Sequence, residues 1–202
     1  TASNTVAIGN AAIGLGILTG TDNTAIGRLA GYDLTSGTFN FFGGYSAGAN
    51  ATTANYTVAI GYNAIGIGIL TGTDNVAIGQ QAGYDLTSGT YNFFGGYQAG
   101  YNATTADNTI AIGRLAIGVG ILTGASNIAL GYRAGYNATT ASNTIAIGSS
   151  AIGAGVLTGS YNTVIGNLAG YDLTSGATNV FMGYSAGANA TTASNNVAIG
   201  NG

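Results

Sequence analysis

The sequence predicts an all-β fold, a parallel β-solenoid of about 12 coils of 17–18 residues, and three observations carry it. A glycine following a mostly apolar triplet recurs at Gly9, Gly27, Gly44, Gly61, Gly79, Gly96, Gly113, Gly131, Gly148, Gly166, Gly183 and Gly200, always 17 or 18 residues apart. The residues one and three places before it are largely β-branched, a strand preference, and no helical stripe competes with them. Alanine stands three places after it in every coil, from Ala12 to Ala186. Each such glycine marks one coil, numbered 1 to 12.

Each column has a local reason. Positions −3 and −1, such as Val58 and Ile60, share one strand face, and the size of their side chains points to the interior. Asparagine four or five places before the glycine suits a corner and can stack into an amide ladder. The invariant alanine implies close packing, and each coil has room for two or three short strands. Twelve coils stacked at about 4.7–4.9 Å make a rod roughly 55–60 Å long. The segments 23–37, 75–89 and 162–176 nearly coincide, a three-coil period. The segment 127–142 opens like one coil type and ends like another, so one coil has been lost there. A stack of units that touch only their neighbours tolerates such a loss. Residues 1–202 form a single array with no polar cap at either end, which reads as part of a longer fibre.

Composition excludes several functions. The chain has only three Arg and six Asp, with no Lys, Glu, His, Cys, Trp or Pro. Nucleic acid is not an expected partner without a basic patch, and Gly, Asn and Thr interrupt every stretch that could insert into a membrane. No nucleophile–base pair exists for catalysis, so no enzyme activity, cofactor or metal is expected. Asp33 and Asp85 lie about 14 Å apart if coils stack at strand spacing, too far for a carboxylate pair.

Three surfaces remain as candidates. If positions −3 and −1 face inward, position −2 faces out. That column, Ala7, Ala25, Phe42, Ala59, Ala77, Phe94, Ala111, Ala129, Ala146, Val164, Phe181 and Ala198, is then an apolar oligomer interface. Eight places before each following glycine runs an unbroken hydroxyl file: Thr19, Ser36, Thr53, Thr71, Ser88, Thr105, Thr123, Thr140, Thr158, Ser175 and Thr192. A second, interrupted row contains Thr21, Thr38, Thr73 and Thr90. Two hydroxyl rows at strand spacing form a candidate ice or ligand face, although Thr-Gly and Ser-Gly also read as turns. Corner tyrosines, among them Tyr32, Tyr45, Tyr84 and Tyr97, suit stacking on a glycan or a protein receptor.

The motifs Asn-Thr-Val-Ala-Ile-Gly at 4–9 and Asn-Thr-Ile-Ala-Ile-Gly at 108–113 and 143–148 resemble the head repeat of YadA-like trimeric autotransporter adhesins. The segment 23–31 is similar to repeats of phage tail fibres and bacterial surface proteins. The resemblance spans the chain and implies a left-handed β-roll assembled as a trimer. Its coils are longer than those of the adhesin heads and nearly uncharged. The expected function is a non-enzymatic structural or adhesive fibre segment, a homo-oligomer or filament on a cell surface, virion or extracellular filament. The alternative is an ice-binding solenoid.

Overall fold

A computed structural model describes residues 2–14 and 17–202. It contains twelve three-residue strands, β1 (Val6–Ile8), β2 (Thr24–Ile26), β3 (Phe41–Gly43), β4 (Val58–Ile60), β5 (Val76–Ile78), β6 (Phe93–Gly95), β7 (Ile110–Ile112), β8 (Ile128–Leu130), β9 (Ile145–Ile147), β10 (Thr163–Ile165), β11 (Val180–Met182) and β12 (Val197–Ile199). They form one parallel sheet in the order β1 to β12. Register is kept throughout, for example Val58↔Val76, Ala59↔Ala77 and Ile60↔Ile78. The chain is therefore a β-solenoid. Each coil contributes one strand, not two or three. The other sides are turns, bonded coil to coil through backbone groups such as Gly31 N–H to Ala47 C=O at 2.9 Å.

Three single-residue corners bend each coil. Residues at −5 and +2, such as Tyr56 (φ 52°) and Asn63 (φ 51°), lie in the left-handed region. The third corner, at +4, is glycine in most coils but Ile13, Ile65, Ile117 and Ile152 in four (φ 48° to 51°). A β-branched residue is strained there, so burial must offset the strain. Ile65, Ile117 and Ile152 are fully buried. The marker glycine has a separate cause. A Cβ on Gly61 (φ +134°) would lie 2.5 Å from the carbonyl oxygen of Gly79 in the next coil.

The strands face the opposite way from the sequence expectation. Position −2 is inside: Ala25, Phe42, Ala59, Ala77, Phe94, Ala111 and Val164 have no exposed surface, and Ala129, Ala146 and Phe181 are almost as buried. Ala198, in the terminal coil, is partly buried and packs on the same core, whereas Ala7 in the first coil is exposed. Positions −3 and −1 face outward. The physical reason is the narrow bore of the coil. The −4 residue shares parity with −2 and is a buried Asn or Thr in coils 2 to 11, so the inward face carries Ala, Val or Phe at −2 and an amide or hydroxyl at −4.

Those amides form the expected ladder, in the interior and in runs of two or three. Asn40 Nδ2 donates to Asn23 Oδ1 at 3.0 Å and to the Ala54 carbonyl at 2.7 Å. Asn40 Oδ1 accepts the Thr57 N–H at 2.9 Å, and the run ends because threonine has no amide to extend it. The motif repeats through Asn75, Asn92 and Thr109.

Core volume is balanced over three coils. One coil type supplies Ile at +4 and a Leu, as Ile65 and Leu70. The second supplies Leu alone, as Leu86. The third supplies Phe at −2 with Ala at +7, as Phe94 and Ala103. The Phe ring is seated on corner glycines of its own and the preceding coil: a Cβ at Gly83 would meet the Phe94 ring at 2.9 Å, and one at Gly100 would press on it more closely still. Coil 8, the fused one, combines the small member of each position, Ala129, Gly135 and Ala138. It contributes no large residue. A cavity of ≈ 10 Å³ lies there, bordered by Ile117, Ala129, Gly135, Ala146, Ile152 and Leu157.

Phe94→Ala is expected to destabilise the fold by about 3–5 kcal/mol, because two glycines cannot close on the space left behind. Ala129→Val, which copies Val164 of coil 10, is expected to stabilise it by roughly 0.5–2 kcal/mol. Chemical denaturation of the two variants beside the parent measures both.

Candidate functional surface

With the Ala/Phe column inside, the candidate interface moves to the two outward columns of the same sheet. Ile26, Ile60, Ile78, Ile110 and Ile112 are each about two-fifths exposed, and Val6, Ile8, Val197 and Ile199 at the ends more so. Phe41 leans across Gly43, where a Cβ would lie 3.1 Å from its ring, so the face stays covered where a side chain is missing. Two columns over eleven spacings make a strip of ~500 Å². That matches the largest apolar patch of a typical soluble monomer, and the shared register keeps the two columns unbroken from coil to coil.

Two aromatic edges border the strip. On the −5 edge, Phe39 stacks on Tyr56 with centroids 5.2 Å apart. On the +1 edge, Tyr45 stacks on Tyr62 at 5.3 Å. All three cations lie at +1 or +2 and rest on tyrosine. Arg28 sits 5.5 Å from the Tyr45 ring, Arg114 lies between Tyr97 and Tyr132, and Arg133 is 4.8 Å from Tyr136. The carboxylates lie elsewhere. Hydrogen bonds from the Thr21 hydroxyl and the Asn4 amide hold the Asp22 carboxyl below the usual range.

The expected tyrosine set divides in two. The +1 members, Tyr45, Tyr62, Tyr97, Tyr132 and Tyr184, are exposed. The +5 members are half-buried, and four of them lie over a glycine of the preceding coil: Tyr32 over Gly14, Tyr84 over Gly66, Tyr136 over Gly118 and Tyr171 over Gly153. Tyr101 instead stacks on Tyr84. The +1 set is thus open to a partner, whereas the +5 set covers coil corners.

The hydroxyl file is exposed at every position from Thr19 to Thr192. Its neighbours are not equivalent. Thr21, Thr38, Thr73 and Thr90 are half-buried and already bonded, as in Thr38 Oγ1 to Asn55 Oδ1 at 2.9 Å and Thr90 Oγ1 to Asp107 Oδ1 at 3.0 Å. The structure therefore presents one exposed file, in which Thr19 and Thr71 also donate to the Thr35 and Thr87 carbonyls, and not two matching rows on a strand. Sequence reading missed another apolar feature. A one-residue insertion in the Ile-cornered coils pushes Ile69 and Ile121 out while Leu70 and Leu122 fill the core. The extra residue of the 18-residue coils was the available signal.

Among the described residues no helix is long and apolar enough to cross a membrane, and no group of three potential metal ligands occurs. No protein-family model, curated protein or solved structure matches the chain.

One carboxylate stands apart. Burial pushes the Asp85 carboxyl up from the usual range, and its Oδ1 has no hydrogen-bond partner. At the equivalent position Asn102 donates its amide to the Val119 carbonyl at 2.9 Å. Because the folded-state value is raised, ionising Asp85 costs stability as pH climbs through it. Asp85→Asn is therefore expected to raise the unfolding temperature at pH 7, with the gain vanishing near pH ~3, where the parent carboxyl is protonated. Thermal scans at the two pH values check it.

Proposed function

We propose that the chain is a non-enzymatic structural or adhesive fibre segment that assembles laterally with copies of itself. The observation that carries this reading is the in-register outward strip of Val, Ile and Phe side chains on a sheet whose other face is buried in the core. With its aromatic edges, the face is about 20 Å across and covers ~1,000 Å² per copy. A standard stable interface uses about 800 Å² per partner. The resemblance of the Asn-Thr-Val-Ala-Ile-Gly motif to adhesin heads favours three copies and a setting on a cell surface, virion or extracellular filament. Exposed +1 tyrosines at the rim would then be available to a receptor or glycan.

Light scattering coupled to size exclusion tests the reading. The parent chain is expected to run as a stable oligomer, with a trimer as the leading stoichiometry. Val58→Asp/Ile60→Asp is expected to give monomers with unchanged circular dichroism, since both side chains point away from the core. A strictly monomeric parent at high concentration would contradict lateral assembly.

One observation favours the ice-binding reading as a second possibility: eleven exposed hydroxyls in an unbroken file at one spacing. If that file orders water, thermal hysteresis and faceted ice crystals are expected from the parent, and Thr105→Tyr is expected to abolish most of the hysteresis. Round ice discs at millimolar protein would sink this second reading without touching the first.

A further inference from the structure

We propose that the tyrosine–arginine edge of coils 6 to 8 is a binding site for an acidic oligosaccharide, with Arg114 and Arg133 as the groups that hold its carboxylate or sulfate. The inference rests on the adhesive part of the proposed function and not on the assembly of copies.

Five side chains from the +1, +2 and +5 columns form one stack along the rod. The Arg114 guanidinium lies 5.7 Å from the Tyr97 ring of the coil before it and 5.8 Å from the Tyr132 ring of the coil after it. Arg133 lies 5.3 Å from that same Tyr132 ring and 4.8 Å from the Tyr136 ring. Rings over a guanidinium cover its faces and leave the N–H fork in its own plane for an acceptor. That fork grips a carboxylate or sulfate through two bonds at once. Among the described residues both guanidiniums are held by rings alone, and the Nε of Arg133 has no hydrogen-bond partner. Arg114, Tyr97 and Tyr132 are exposed, so a ligand reaches the stack from solvent.

The charge balance points the same way. Two cations share one ring, and no carboxylate offsets them. Between Asp85 and Asp172 the sequence holds a single acid, Asp107. It stands at −6, on the other side of the strand, and accepts the Thr90 hydroxyl at 3.0 Å. The net charge of −3 makes the rod as a whole unattractive to anions, so the attraction is local to this edge. The fold does not require arginine there. Coils 1, 4 and 9 share with coil 7 an Ala-Ile-Gly ending at the marker glycine and a second Ala-Ile-Gly from +3, yet they carry Asn10, Tyr62 and Ser149 where Arg114 stands. Arg133 occupies a left-handed corner (φ 53°) that Ser46 (φ 50°) and Asn63 (φ 51°) fill in other coils. A sugar acid suits the edge better than an acidic peptide. Its ring sets an apolar C–H face and hydroxyls against tyrosine and brings the anion for the fork, whereas a glutamate side chain brings the anion alone.

Calorimetric titration of the full chain tests the site with a heparin octasaccharide, an octagalacturonate, maltooctaose and octaglutamate. At least one charged sugar is expected to bind saturably, and maltooctaose is expected not to bind. Binding of both charged sugars assigns the carboxylate as sufficient, and binding of the heparin probe alone assigns the sulfate. Arg114→Gln and Arg133→Gln, with unchanged circular dichroism, are each expected to weaken that binding at least ~tenfold, whereas Arg28→Gln, which removes the same charge in coil 2, changes it less than ~twofold. Arg114→Lys keeps the charge but has no fork, and is expected to behave like Arg114→Gln. Absence of saturable binding to either charged sugar overturns the site. Equal loss in Arg28→Gln, or octaglutamate binding as tightly as the sugars, overturns it too. Each of those results leaves lateral assembly standing, while a monomeric parent that binds the sugar removes assembly and keeps the site.

Discussion

In-register stacking at a single strand spacing is the constraint from which the rest of this structure follows. Outside the one-residue insertions, each side chain has a column-mate in the adjacent coil, so each residue must be fitted to its neighbours in the column, as Phe42 is to Ala25 and Ala59. The marker glycines show how strict this is, because a Cβ there would run into the next coil's backbone. The asparagines show the converse. A buried amide is costly alone, but a stacked amide bonds its neighbour's side chain and a backbone carbonyl at once.

Stacking also makes core volume a property of several coils together. No single coil fills its bore in the same way as the next, and the Phe rings are accommodated by glycines contributed from two coils. Large and small positions therefore alternate along the rod with a three-coil period. Fusing the head of one coil type to the tail of another leaves the strand ladder in register on both sides of β8 but breaks this alternation. The cavity beside Ala129 and Gly135 is the local result. Loss of a coil is thus tolerated by the ladder and recorded in the packing.

Coil number, register and the amide ladder were legible in the sequence because each depends on periodicity alone. The direction of the strand faces was not. Reading Val58 and Ile60 as interior follows from hydrophobicity, yet hydrophobicity cannot distinguish a wide core from a narrow bore with an apolar exterior. The informative signals were Asn40 and Asn92, which share parity with Phe42 and Phe94, and the glycines that make room for those rings. The hydroxyl file is an unbroken row in the sequence, and its residues are exposed. Its second row failed as a matching free face because Thr38 and Thr90 are committed to Asn55 and Asp107. The corner tyrosines could be located but not sorted, since only the seating of Tyr84 over Gly66 distinguishes a cover from an exposed ring.

An apolar exterior on a filled rod and a neutral, repetitive surface elsewhere both follow from the climb of one strand per coil. Pulsed dipolar spectroscopy tests that climb most directly. Spin labels on cysteines substituted pairwise in the hydroxyl file, with labelled chains diluted into unlabelled ones, read separation against coil number. Thr53 paired with Thr140, Thr158 and Thr192 should give distances rising linearly, about 24, 29 and 38 Å before the label's own length is added. Distances that fail to grow with coil number, or that fold back on themselves, would contradict the solenoid and everything built on it.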